Sequence, residues 1–369
     1  MFQTLQCHIL FNNKKTGLHL KQKYSMKKKF SIYVTVIIFS VFSSSCTKER
    51  YIDEPGNLLP KTVMEDENLP SLTVNGAKLH SEAFGPKDST LIICIHGGPG
   101  GDYRYMLNCK TLATKGCRVV FYDQRGAGLS QRFPKSWYKS QGSDALNKIF
   151  YDELKGVISH YKTSSSQKVI LLGQSWGAML ATAYTGKYPN EIDGLIVAEP
   201  GGLKWDDVVD YISESRSFKL WSETLNDATY IDQFMTGKED QHEILDYKAG
   251  LMGSTNAIVG DVGSDLGNNA PSYVASRSGA VVNAASYELG QDTKPDFSAG
   301  INNFSTKTLF IYSSNNKAYP DSWATKISSA YPNKEIFKAQ GVGHSGMLNQ
   351  VDFWTTTMEP KIISYIQSL

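Results

Sequence analysis

The sequence predicts an α/β chain with a mostly parallel central sheet and helices on both of its faces. Three observations predict it. Short, unbroken apolar runs at residues 91–95 (LIICI), 169–172 and 308–312 (TLFIY) have the length of strands and the hydrophobicity of strands covered on both sides. Helical segments alternate with them, including an amphipathic one at 149–161. Between the second run and a helix rich in small residues lies Gly173-Gln174-Ser175-Trp176-Gly177, a G-x-S-x-G turn centred on Ser175. An alcohol is a poor nucleophile, so a chain that uses one sets it on a sharp, exposed strand-to-helix turn beside a base. Glycines two positions to either side permit the turn. A helix starting at the serine aims free N–H groups and its positive dipole end at negative charge forming there.

In chain order, residues 1–45 stand apart, with seven lysines and no acidic residue. Met26-Lys27-Lys28-Lys29 precedes an apolar run at 30–42, followed by Ser43-Ser44-Ser45-Cys46. A basic start, an apolar run short for a stop-transfer helix and small residues before a cut site make a secretion signal. An uncleaved N-terminal membrane anchor is the alternative, and Met26 is the expected true start. Without residues 1–45, 31 basic residues face 36 acidic ones, a net charge near −5. No basic patch with interleaved aromatics is present, so nucleic acid is not an expected partner. Residues 46–70, charged and proline-bearing, read as a tether. Cys94, Cys109 and Cys117 follow, an odd number that indicates no disulfide framework. Cys94 reads as a buried core thiol, and one Cys109–Cys117 bridge is left open. No His/Cys spacing suggests a metal site.

Residues 72–84, with Asn75-Gly76 between two short runs, predict a β-hairpin. The run at 91–95 ends in His96-Gly97-Gly98-Pro99-Gly100-Gly101, whose glycines let backbone N–H groups point into a site. A phosphate-binding loop is the alternative, but G-x-G-x-x-G and a P-loop lysine are both missing. A strand at 119–122 leads to Asp123-Gln124-Arg125-Gly126, where Asp123 and Arg125 read as tying down neighbouring loops. A strand at 194–198 follows the serine's helix. Residues 203–304 then interrupt the alternation, rich in aromatics early and in glycine and serine later. Strands at 308–312 and 335–339 close the sheet. Gly341-Val342-Gly343-His344-Ser345-Gly346 follows the last of them. The other histidines precede the cut site, belong to the glycine loop or lack such a context.

HGGPGG at 96–101, DQRGAGLS at 123–130 and GQSWGAMLATAY at 173–184 resemble the α/β-hydrolase superfamily. More narrowly they are similar to its proline iminopeptidase branch, which carries HGGPG, DQRG-x-G-x-S and GGSWG. The resemblance covers residues 85–200 well and 305–350 more loosely. Gln174 departs from it, standing where the branch usually has glycine. The resemblance implies an α/β-hydrolase core over 71–202 and 305–369, with a mainly helical cap at 203–304 inserted after the sixth strand. A second, independent domain is the alternative for that region. It implies Ser175 as nucleophile, His344 as general base, and the N–H groups of Gly98 and Trp176 as oxyanion hole. In the peptidase relatives acidic cap residues bind the substrate's free amino group. Glu214, Glu223, Asp227, Asp232, Glu239, Asp240 and Glu243 are available, though most read as solvated helix faces. The stretch before Cys46 also resembles the bacterial lipoprotein signal. That implies lipid attachment at Cys46 and an exported, membrane-anchored protein of the cell envelope.

A serine–histidine pair needs a third group to fix the imidazole tautomer and stabilise the imidazolium. The family's usual aspartate, after the seventh strand and four residues before a proline, falls here on Asn316. Either the chain is crippled or the acid comes from elsewhere. Glu199, directly after the strand 194–198, is the candidate, because that strand neighbours the nucleophile strand and the longer side chain helps span the gap. An amine-binding or helix-start role for Glu199, and Asp321 as the acid, compete with it. The resemblance thus implies acyl-enzyme hydrolysis of short peptides by a proline iminopeptidase-type aminopeptidase, without a cofactor. An esterase on small acyl substrates and a catalytically silent binding protein are the alternatives, the last favoured by Asn316 alone.

Overall fold

Asn75 and Gly76 both take left-handed backbone, with φ of 46° and 73°. That is what a two-residue hairpin requires, so β1 (Ser71–Val74) turns directly into antiparallel β2 (Ala77–Phe84). The remaining strands are β3 (Thr90–Ile95), β4 (Cys117–Tyr122), β5 (Val169–Gln174), β6 (Gly194–Ala198), β7 (Thr308–Ser313) and β8 (Lys334–Ala339). They form one eight-stranded sheet in the order β1-β2-β4-β3-β5-β6-β7-β8. β2 pairs antiparallel with β4, and every pairing from β4 to β8 is parallel. The computed structural model describes residues 58–145, 147–215, 241–254 and 277–369. The expected signal segment, Met26, Cys46, residues 46–57 of the tether and residues 216–240 and 255–276 of the expected cap lie outside the described residues.

The central strands β3, β5, β6 and β7 show no polar–apolar alternation because both faces of the sheet are covered there. Leu91, Ile93, Ile95, Leu171, Leu195, Val197 and Phe310 belong to the core on one face. Ile92, Cys94, Ile170, Leu172, Ile196, Leu309 and Ile311 belong to the other. The helices Asp152–Tyr161 and Trp176–Lys187 cover the first face. The 3₁₀ run Tyr103–Lys115 and the C-terminal segment carrying Trp354, Met358 and Ile362 cover the second. Each buried aliphatic side chain contributes about 1.5–3 kcal/mol. The helix expected over 149–161 is α-helical only from Asp152, after a π turn at Asn147–Tyr151. Cys94, Cys109 and Cys117 are all free and buried, so the bridge left open between the last two is not formed.

The residues expected to tie down loops do so. Asp123 accepts from the N–H groups of Tyr103 (3.1 Å) and Leu129 (2.8 Å) and lies 2.9 Å from His80 Nδ1. Burial would push its carboxyl up, but the bond and charge of His80, His96 and the Leu129 N–H outweigh that and hold it below the usual range. Arg125 pairs with buried Glu153 at 3.1 Å. Between β6 and β7 the described residues include the helices Trp205–Ser215, His242–Ser254 and Ala280–Thr293. The last is fastened to the glycine loop: Gly279 N–H donates to the Gly100 carbonyl (2.7 Å), and Asn283 Nδ2 to the Pro99 carbonyl (2.6 Å). Fully buried Asp246 accepts from Arg132 Nε (2.9 Å), Arg277 Nε (3.2 Å) and Ala280 N–H (3.0 Å), joining this region to the loop after β4. No helix among the described residues is long and apolar enough to cross a membrane.

The small residues of the helix Trp176–Lys187 have a steric cause. The helix is buried from Trp176 to Gly186, and a Cβ on Gly177 would lie 2.0 Å from the Ile95 carbonyl oxygen. Gly177→Ala must therefore push the helix off β3. The expected loss is about 3 kcal/mol or more, read as a lower urea unfolding midpoint. An unchanged midpoint would show that the contact is not tight.

Candidate active site

The strand ends set out the site. Gln174 is opposite Ala198, and Ala198 opposite Ile311. The ladder continues one residue further: Ser175 N–H donates to the Ala198 carbonyl and Glu199 N–H to the Ile311 carbonyl, each at 2.9 Å. Ser175 and Glu199 thus leave the sheet side by side at the carboxyl ends of adjacent strands, where open α/β sheets bind ligands. Both have positive φ, 55° and 44°. Such backbone costs a non-glycine residue roughly 1–3 kcal/mol and persists only where its surroundings fix it.

The loop after β8 brings His344 to the same place, with Nδ1 2.5 Å from Glu199 Oε2. Glu199 is fully buried. Its Oε1 accepts from the Ser313 N–H (2.6 Å) and Ser313 Oγ (2.5 Å), and its Oε2 also accepts from Asn316 Nδ2 (2.9 Å). A carboxylate in that position would be costly without such donors. Asn316, at the spot where the resembling family keeps its acid, is here a donor to the carboxylate that faces the imidazole. The Tyr211 hydroxyl, from the helix Trp205–Ser215, accepts from Asn316 Nδ2 (3.2 Å) and lies 3.4 Å from His344 Nδ1. Asp321, the competing acid, is exposed and engages Lys338 Nζ (2.5 Å) and the Tyr312 hydroxyl (3.2 Å) instead of the imidazole. Its carboxyl is held below the usual range, first of all by the Lys338 hydrogen bond.

The glycine loop lies against the elbow. A Cβ on Gly97 would be 3.1 Å from the Ser175 Cβ. Gly97 N–H donates to the Tyr105 hydroxyl (2.7 Å). A side chain at Gly98 is excluded by its φ of 129° and by Gly100 N, 2.5 Å from where the Cβ would stand. Trp176 opens its helix, so its backbone N–H is one of the first-turn donors that lack a helical acceptor. The Trp176 indole donates to Gln124 Oε1 (2.9 Å), and its ring meets the edges of Phe150 and Phe297. Of the acids expected to meet an amine, Glu243 accepts from the N–H groups of Leu58 (2.9 Å) and Leu59 (3.3 Å), and Glu214 is exposed. Glu223, Asp227, Asp232, Glu239 and Asp240 lie outside the described residues.

Sequence reasoning missed Ser313, Tyr211, Tyr105, Gln124 and Asn283. Tyr211 carried a signal as one of the aromatics at the start of the expected cap, and Gln124 as part of the DQRG motif. The others contribute through hydrogen bonds between segments distant in the chain.

The sheet order, the serine at its strained strand-to-helix turn and the histidine beyond the last strand are those of the α/β hydrolases. Residues 90–350 match the family described as alpha/beta hydrolase fold, and the chain belongs to that family. It is similar to proline iminopeptidases of Thermoplasma volcanium (38% identical over 117 residues, 30% of this chain and 34% of that protein) and Saccharolobus solfataricus (36% over 124 residues, 33% and 37%). The match therefore spans about a third of those relatives. The fold is also that of the proline iminopeptidase of Mycobacterium smegmatis, with a TM-score of 0.52 at 16% identity, covering 81% of this chain and 99% of that one.

Two substitutions probe the carboxylate. Glu199→Gln should lower kcat by about 10³–10⁴-fold at neutral pH, the scale of losing the histidine's acidic partner. Asn316→Asp replaces a donor by a second carboxylate within hydrogen-bond distance of the first. Like charges so placed keep a proton to higher pH, so the acidic limb of kcat/KM against pH should move upward. An unmoved limb, or full turnover in Glu199→Gln, would remove Glu199 from this role.

Proposed function

We propose that this protein is a serine hydrolase that works through an acyl-enzyme and releases N-terminal residues from short peptides, in the manner of a proline iminopeptidase. The observation that carries the hydrolase reading is the 2.5 Å approach of Glu199 Oε2 to His344 Nδ1 beside the strained Ser175 turn. With Nδ1 so engaged, the far nitrogen of the imidazole is the one that takes the Ser175 proton. The Ser175 oxygen attacks the carbonyl carbon, and the N–H groups of Gly98 and Trp176 stabilise the oxyanion, each worth about 10²–10³ in rate. Collapse of the intermediate breaks the bond to the leaving amine, which takes its proton from His344. Water, deprotonated by His344, then releases the acyl group and restores Ser175.

The peptidase reading is supported by the similarity to proline iminopeptidases over about a third of the chain. One observation favours an esterase: of the candidate amine-binding acids among the described residues, Glu243 is taken up by two backbone amides and Glu214 is exposed. A silent binding protein was favoured by the amide at 316, and the carboxylate of Glu199 at the imidazole removes that argument. A fluorophosphonate probe should label the wild type at Ser175 and leave Ser175→Ala unlabelled. Prolyl arylamide should then be turned over in preference to aryl acetate. No adduct would favour the binding protein, and turnover of the ester alone would favour the esterase.

The reading includes export and a lipid anchor at Cys46, supported by the basic, apolar and small-residue order of residues 26–46. Radiolabelled palmitate fed to bacterial cells expressing the full chain should enter the wild type and not Cys46→Ala. Equal incorporation would exclude Cys46 as the anchor.

A further inference from the structure

We infer that Gln174 and Tyr105 are positioning residues that lock three working loops to one another. The inference rests on the proposed roles of Ser175 and His344. Gln174 ends β5 and immediately precedes the serine, and it is almost fully buried, as is Tyr105. The Gly97 N–H donates to the Tyr105 hydroxyl (2.7 Å). That hydroxyl donates to Gln174 Oε1 (2.7 Å), and Gln174 Nε2 donates to the His344 carbonyl (3.1 Å). The amide orientation follows from chemistry, because a carbonyl oxygen only accepts and must meet the NH₂ end. All three bonds run donor to acceptor in one direction, an arrangement in which each bond polarises the next.

The relay touches a peptide at each working loop. Gly97 precedes Gly98, whose N–H is assigned to the oxyanion. Gln174 precedes Ser175. The third contact is the carbonyl of His344 itself. Glycine at 97 leaves the Gln174 side chain room where it stands: a Cβ there would lie 2.8 Å from Gln174 Oε1, and the amide would have to shift. Glycine at 174, usual in the resembling branch, would leave the Tyr105 hydroxyl proton and the His344 carbonyl without these partners in a buried space. Gln174, Tyr105 and Gly97 therefore form a matched set that fixes the base and the oxyanion donor relative to the nucleophile. Small misplacements of such groups are costly, since a shift near 1 Å costs about 10²-fold in rate.

The test uses Tyr105→Phe, which removes one oxygen, and Gln174→Met, which keeps length without the hydrogen bonds. Each should lower kcat and the rate of fluorophosphonate labelling of Ser175 by about 10–100-fold, with KM within threefold and melting still cooperative. Because both cut the same relay, Tyr105→Phe/Gln174→Met should fall no further than the worse single variant. Wild-type labelling rates and kcat in both variants would overturn the inference while leaving Ser175 as nucleophile. Multiplicative losses would overturn the shared relay. Absence of labelling in the wild type would instead overturn the serine hydrolase reading on which it rests.

Discussion

A carboxylate buried at the end of a sheet is the constraint on which the rest depends. Glu199 is fully buried, so its oxygens must find hydrogen-bond donors or the fold loses several kcal/mol. Ser313 supplies two of those donors, Asn316 one, and His344 Nδ1 stands at the same oxygen as Asn316. These partners come from β7, the turn after it and the loop after β8. Satisfying one side chain therefore fixes where three segments end. The left-handed backbone of Glu199 is tolerated because its N–H still extends the ladder to Ile311 while the side chain turns toward the imidazole.

The same economy governs the amide at 316. An aspartate there would crowd Glu199 with like charge, whereas an asparagine donates a hydrogen bond to the carboxylate and adds no charge. The residue that breaks the family pattern in the sequence is thus a hydrogen-bond donor to a carboxylate one strand away. Tyr211 extends the cluster to the region after β6, since its hydroxyl lies between Asn316 and the imidazole. The other end of that region holds the glycine loop through Gly279 and Asn283. Its helices thereby touch both the Glu199–His344 cluster and the glycine loop. The buried Arg132–Asp246–Arg277 cluster ties that region to the loop after β4, and desolvation offsets much of its Coulomb energy.

Local chemistry alone determined a good deal. Apolar runs of strand length, Asn-Gly between two of them and glycines around Ser175 dictate sheet, hairpin and elbow, because each follows from the backbone freedom and burial of neighbouring residues. The strands begin or end one or two residues beyond the apolar runs, at Thr90, Cys117, Gln174, Ser313 and Lys334, since ladder hydrogen bonds do not depend on hydrophobicity. A histidine in a glycine-flanked loop after the last strand was equally legible. What the tertiary structure decided is which acid faces that histidine and what holds the loops in register. Glu199 and His344 are 145 residues apart and Gln174 and His344 are 170 apart. Their meeting is set by the order β5-β6-β7-β8. Hydrogen-bond partners brought together by strand order leave no periodicity or spacing in the chain, so the sequence could offer Glu199 beside Asp321 as candidates while only the folded sheet chose between them and joined Gln174 to His344.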